Sequence, residues 1–251
     1  MQTEQNALST AAFSLFTGLQ PAIIAIDGPA ASGKSTIGYQ LAQRTGFLFF
    51  DTGILYRAVT WAVLQAGVTP QDEAAVGRIA QQTTIDIGPA GNHADGRQNS
   101  IIVAQQDVTW QIRTPEIDQN VSAIAANALV RKALLVQQRR IALHYGNGQA
   151  AQPGIILVGR DIGTVVAPAA PLKIYLNATP RERPPPLYGA TRRGKAVDYA
   201  QVLEDIYRRD KLDSERALAL RPADDAIVID TSMLSTAQVI EQIVAAARGR
   251  E

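Results

Sequence analysis

No cysteine occurs among the 251 residues. That absence excludes disulfides, thiolate nucleophiles and cysteine metal sites, and is compatible with a reducing cytoplasm. No apolar stretch approaches the roughly 20 residues needed to span a bilayer. Bulk charge of one sign is missing too: 24 Lys+Arg face 23 Asp+Glu, for a net charge of +1. Such a balance leaves no overall electrostatic footprint for nucleic acid. The first 20 residues carry no basic region ahead of a long apolar core, so segment 1–20 reads as a flexible or loosely docked extension, not a signal peptide. The expectation is a cytoplasmic monomer with no nucleic-acid or membrane partner. Arginine dominates the basic set, which suits planar recognition of phosphates and base edges.

What is present begins with residues 28 to 36, GPAASGKST. Gly28, Pro29, Ala30, Ala31, Ser32, Gly33, Lys34 and Ser35 fit G-x-x-x-x-G-K-[ST] at every fixed position, and Thr36 follows. Glycines let the backbone turn tightly, so consecutive N–H groups converge on phosphate oxygens. The following helix adds its positive dipole end. Lys34 reaches the β- and γ-phosphates, and the Ser35 hydroxyl is a candidate Mg²⁺ ligand. Context supports this reading over a structural glycine turn. Ala22 to Ile26 is a continuous apolar run, as in a buried parallel strand, and Ser35 to Thr45 has helical amphipathic spacing.

Further along, Phe47 to Phe50 reads as a second buried strand ending at Asp51-Thr52-Gly53. Helices are expected at about 55–65 and 71–81. Between Thr83 and Thr109 the texture changes: Ile85–Ile87 and Ile101–Val103 look like short strands around the turn-rich GPAGNHADGRQN. This predicts a small β-containing insertion outside the main sheet. Helix resumes from Pro115 to about Tyr145, broken near Asn127. Strands follow at Ile155–Val158, Leu172–Leu176 and Ala226–Asp230, with helices at about 199–213 and 236–248. Five parallel strands alternating with helices predict an α/β, doubly wound sheet of P-loop type.

Strand ends carry the remaining candidates, because ligands of open α/β sheets sit at the carboxyl edge. Tyr56 and Arg57 fall in the first turn after Asp51-Thr52-Gly53, where an arginine can fork a substrate phosphate. An N-cap with a solvated arginine fits the same spacing. Gly159-Arg160-Asp161 closes a strand: Arg160 is placed to touch phosphate or base, and Asp161 to contact substrate or a water-bound Mg²⁺. An ion-paired loop is the alternative. Arg209, Asp213 and Arg216 share a helix face at i, i+4 and i+7, fit either for gripping a phosphoryl group or for a surface ion-pair ladder.

Taken together, AIDGPAASGKST, DTGILYR, VGRDIGTVV, IYLNATPRER and RRDKLDSERA resemble the bacterial cytidylate kinase family, from about Pro21 to the C-terminus. The pairing of DTGxxYR with GRDxGTVV is far more specific than the P-loop alone. The resemblance implies transfer of the γ-phosphoryl group of ATP to CMP or dCMP with Mg²⁺. It implies a core of residues 21–82 and 146–251, a monophosphate-binding insertion at 83–145, and a lid at 180–197. It assigns acceptor binding to Thr52, Tyr56, Arg57, Ser122, Arg131, Arg160, Asp161, Arg209, Asp213 and Arg216, with Ser122, Arg131 and Asp213 as candidates for reading cytosine. Lys34, Arg160, Asp161, Arg209 and Arg216 are the expected catalytic set. Phosphoryl transfer needs positioning and charge neutralisation more than acid–base chemistry, so neither His93 nor His144 is given a role.

One stretch departs from the family. Where its lid continues as an arginine-rich helix, this chain reads Arg183-Pro184-Pro185-Pro186-Leu187-Tyr188. Three prolines do not fit inside a helix. Three accounts stand side by side: Arg181, Arg183, Arg192 or Arg193 substitutes; the enzyme is slow; or a short compensating frame change altered the segment. Two other function classes share a phosphate-binding glycine loop. A GTPase would need an N-K-x-D motif, which is missing. A nucleotide-binding protein with weak or no kinase activity is the alternative that the altered lid leaves standing. Closure of insertion and lid over both nucleotides is expected, because water must be kept from ATP.

Overall fold

The computed structural model describes residues 16, 18–178 and 221–248. The lid segment 180–197, the helix expected at 199–213 and the Arg209, Asp213, Arg216 face lie outside the described residues.

In chain order the elements are β1 (Ile23–Asp27), α1 (Lys34–Thr45), β2 (Leu48–Asp51), α2 (Gly53–Gln65), α3 (Glu73–Gln82), β3 (Ile85–Pro89), β4 (Asn99–Val103), β5 (Gln106–Asp107), α4 (Pro115–Ala126), α5 (Ala128–Gly146), β6 (Ile155–Val158), β7 (Leu172–Asn177), β8 (Ile227–Asp230) and α6 (Thr236–Arg248). Among the described residues, five parallel strands form one sheet in the order β2-β6-β1-β7-β8. The strand that feeds the glycine loop therefore lies at its centre, buried over its whole length.

Strand side chains alternate between two faces, and each face has its own core. Ile23, Ala25, Leu48, Phe50, Ile155 and Leu157 pack with α2, α3 and α5. Ile24, Ile26, Phe47, Phe49, Ile156 and Val158 pack with α1 and α6, joined by the fully buried Phe16. Continuous apolar strands read in the sequence are thus explained by helices on both faces.

β3, β4 and β5 make a separate antiparallel sheet. It meets the main sheet at an edge: the Asn99 side-chain amide donates to the Phe49 carbonyl of β2 at 2.6 Å. Inside it, the Arg97 guanidinium lies between Asp95 and Asp107 and also reaches Ser100 and Thr109. Burial works to raise the Asp107 pKa, but hydrogen bonds from Thr109 and Arg97 outweigh it and hold the carboxyl at about 2. The helix break near Asn127 has a local cause. The Asn127 side chain caps α5 by accepting from the Leu129 and Val130 N–H groups, while its amide donates to Glu73 O at 2.9 Å.

Candidate active site

The loop after β1 is shaped by its backbone. Gly28 has φ +148°, and a Cβ there would stand 2.1 Å from the Leu176 carbonyl oxygen of β7. No other residue fits that approach. Ala31 at φ +56° and Gly33 at φ +85° add left-handed turns that curl the loop ahead of α1. Gly33 is the N-cap of α1 and supplies no side-chain cap, and the first turn holds no acidic residue. The helix thus begins with N–H groups that a bound anion can satisfy, at the positive end of its dipole.

Lys34 arches back over this loop. Its ammonium donates to the Pro29 carbonyl oxygen and, at 3.2 Å, to Ser32 Oγ. The side chain is buried, so its charge acts where water screens it weakly. Ser35 Oγ donates to Asp51 Oδ2 at 2.9 Å, and Asp51 Oδ1 accepts the Gly53 N–H at 3.0 Å. Sequence reasoning named Ser35 as a candidate metal ligand and gave Asp51 no ligand role. The two stand 16 positions apart, yet α1 and the end of β2 bring them into contact. A hydroxyl and a carboxylate from the protein, completed by phosphate oxygens, is a donor set that fits Mg²⁺.

Thr52 is buried, and both its N–H and its Oγ1 donate to the Val158 carbonyl at 3.0 Å. With its hydrogen so placed, the hydroxyl offers lone pairs to a ligand donor. Gly159 makes this possible: a Cβ there would lie 2.8 Å from Thr52 Oγ1 and 2.6 Å from Ile162 Cδ1. Arg57, one turn into α2, donates to Ile112 O at 3.0 Å and to Asp118 Oδ1 of α4 at 2.6 Å. The solvated arginine allowed by the spacing is not what forms. Arg57 is a partly exposed bridge from the core to α4, and its carboxylate partner was not legible in the sequence. Tyr56 beside it packs against the core below.

At the end of β6, Arg160 donates to the Gly28 carbonyl at 2.8 Å. Residues 162–166 then form a single π-helical turn with Asp161 at its N-cap position. The structure thereby gathers Gly28 to Ser35, Asp51, Thr52, Arg160 and Asp161 at the carboxyl edge of the sheet. Ser122 and Arg131 are not among them. Ser122 is exposed on α4, and Arg131 donates to the Ala125 and Ala126 carbonyls that end that helix, one turn beyond it.

Asp27 was not singled out from the sequence beyond its place in a motif. It ends β1, is 5% exposed, and accepts the N–H groups of Ile162 and Gly163, each at 2.7 Å. Burial pushes its carboxyl up to about 6, opposed by those two bonds; Asp161 raises it further and Lys34 lowers it. An acidic residue closing an otherwise apolar strand was the available signal.

Residues 24–249 match the cytidylate kinase family. The cytidylate kinase of Roseiflexus castenholzii is 41% identical over 226 residues, covering 90% of this chain and 93% of its own. That of Chloroflexus aggregans is 42% identical over 226 residues, covering 89% and 93%. A bifunctional pantoate ligase/cytidylate kinase of Synechococcus elongatus is 44% identical over 236 residues, covering 91% of this chain and 42% of its own length.

Proposed function

Because the chain belongs to the cytidylate kinase family, whose reaction moves the γ-phosphoryl group of ATP to CMP or dCMP, we propose that it runs this reaction at the carboxyl edge of its sheet, with ATP on the Gly28–Thr36 loop. The observation that carries the site assignment is the Arg160–Gly28 bond. It fixes an acceptor-side arginine to the first residue of the donor loop, so the two phosphate sites share one frame.

Transfer between two phosphates needs no covalent intermediate. The work is to hold both nucleotides in line and to neutralise charge. Backbone N–H groups of the loop and of the α1 N-terminus hold the donor's phosphates, and Lys34 neutralises the β- and γ-oxygens. Ser35 and Asp51 would hold Mg²⁺, which supplies further neutralisation of the phosphate charge when bound. Arg57 and Arg160 bind the acceptor's phosphate, with Tyr56 shaping the pocket beside Arg57. Thr52 holds the acceptor, Ser122, Arg131 and Asp213 read its cytosine once the insertion closes, and Asp161 orients it. Arg209, Asp213 and Arg216 complete the set in this reading. Residues 21–82 and 146–251 act as the core, 83–145 as the monophosphate-binding insertion and 180–197 as the lid. The reading carries with it a cytoplasmic monomer whose partners are free nucleotides. Among the described residues, no helix is long and apolar enough to cross a membrane.

Arg57→Ala tests the acceptor assignment. Loss of a charge-assisted bond to phosphate raises the KM for CMP by about 10- to 100-fold, while the KM for ATP stays within about threefold. Steady-state kinetics with each nucleotide varied in turn measures both. An unchanged KM for CMP would remove Arg57 from the site.

A further inference from the structure

We propose that Asp27 is a positioning residue for phosphoryl transfer: its carboxylate fastens the turn bearing Arg160 and Asp161 onto the strand bearing the glycine loop. The proposal rests on the kinase reading above. Four hydrogen bonds run from residues 159–163 to residues 26–28: Gly159 N–H to Ile26 O, Arg160 Nη1 to Gly28 O, and the Ile162 and Gly163 N–H groups to the two Asp27 oxygens. Two of the four depend on one side chain.

The need for it follows from the turn itself. A helical turn leaves its first N–H groups without internal partners. Asp161 holds the N-cap position but makes no side-chain cap bond. The capping role passes to Asp27, on a different strand. At Gly163 a Cβ would touch Asp27 Oδ2 at 3.4 Å and press on the Lys173 stem at 3.2 Å, so the turn packs directly on the carboxylate. At the other end of the turn, Arg139 of α5 donates to Val165 O at 2.7 Å and to Val166 O at 3.3 Å. The turn is thus gripped at both ends, by a carboxylate on its N–H groups and a guanidinium on its carbonyls.

The charged groups facing Asp27 are Lys34 from α1 and Asp161 from the turn, with the stem of Lys173 from β7 beside Gly163. Protonation of Asp27, centred near pH 6, turns one of its two acceptors into a donor and breaks one of the paired bonds. The folded form holds this proton more tightly than the unfolded chain does. The contribution to stability is therefore fully present below the ordinary carboxylate value of 3.8 and is lost as pH rises through about 6. Turnover runs the other way, because the paired bonds need the ionised group. A purely structural role would not separate the two.

Two measurements decide it. In the wild-type protein without nucleotides, the Ile162 and Gly163 amide resonances should titrate together with an apparent pKa near 6. Ile162 and Gly163 amide resonances that do not follow the titration of the Asp27 carboxyl carbon overturn the proposal, whether or not the protein phosphorylates CMP. In the second, kcat of Asp27→Asn is divided by that of the wild type across pH 5–8, which cancels titration of the substrate phosphate. The ratio should be about 0.01–0.1 at pH 7.5, with both KM values within about threefold, because a small misplacement of a catalytic group costs up to about a hundredfold. It should climb about five- to tenfold by pH 5, to about 0.1–0.5, because about nine-tenths of the wild-type carboxylate is protonated there. A ratio near one at pH 7.5, or one constant across the range, overturns the proposal. Asp27→Ser serves if the Asn variant does not fold.

Discussion

Replacing Lys34 by methionine is expected to lower kcat for CMP by about 10²- to 10³-fold, the usual loss when one preorganised charge on a transferring group is removed. Methionine keeps the length and packing of the stem, so the substitution isolates the charge. The lysine is buried under the loop, with its ammonium on the Pro29 carbonyl and Ser32 Oγ. In that setting its field reaches bound phosphates with little screening. Losing the donor also leaves two loop acceptors unserved, at about 1–3 kcal/mol. A melting curve on the same preparation confirms that the variant is folded at the assay temperature. A kcat within tenfold of wild type would mean that Lys34 does not act on the transferring group.

Gly28→Ala is expected to be the most damaging glycine-to-alanine change among the described residues. Its Cβ would stand 2.1 Å from the Leu176 carbonyl oxygen, which is backbone and has no rotamer to escape into. The φ of +148° adds strain for any side chain. Overpacking and strain together give a loss of about 3 kcal/mol, or about 6–12 °C in Tm for a chain of this size. Nucleotide binding should fail with it, since Arg160 is anchored on the Gly28 carbonyl and the loop begins there. Gly33→Ala is the control. Its φ of +85° is also left-handed, but nothing lies within 4 Å of a built Cβ, so only about 1–2 kcal/mol of conformational strain applies. Thermal melts and ADP titration of both variants measure the contrast. A Gly28→Ala protein that melts with wild type would contradict the packing described here.

Local patterns carried the fold. The apolar run, glycine loop and amphipathic helix at 22–45 needed no long-range information, and the five-strand parallel sheet followed from the alternation of strands and helices. The break at Asn127 was legible because a capping side chain marks it. Boundaries moved where caps decide them: α3 starts at Glu73, not Gln71, since Asp72 accepts the Ala75 N–H. The two-residue β5 escaped notice, being too short for periodicity to register. The site was less legible for a consistent reason: its missing parts are contacts between distant segments. Asp51 meets Ser35 across β2 and α1, Asp118 meets Arg57 from 61 positions away, and Asp27 meets the 162–163 turn from 135 away. Each of the three is a carboxylate, and a sequence shows a carboxylate's charge without showing what it faces. Thr52 was placed correctly at a strand end, but that its hydrogen goes to Val158 depends on the pairing of β2 with β6.

The central claim is phosphorylation of cytidine monophosphates at this sheet edge. Its most direct test is ADP production from ATP and Mg²⁺, with CMP, dCMP, UMP, AMP and GMP offered separately to the unmodified protein. The account predicts turnover with CMP and dCMP well above that with the other three. ATP binding without transfer to CMP or dCMP would contradict it.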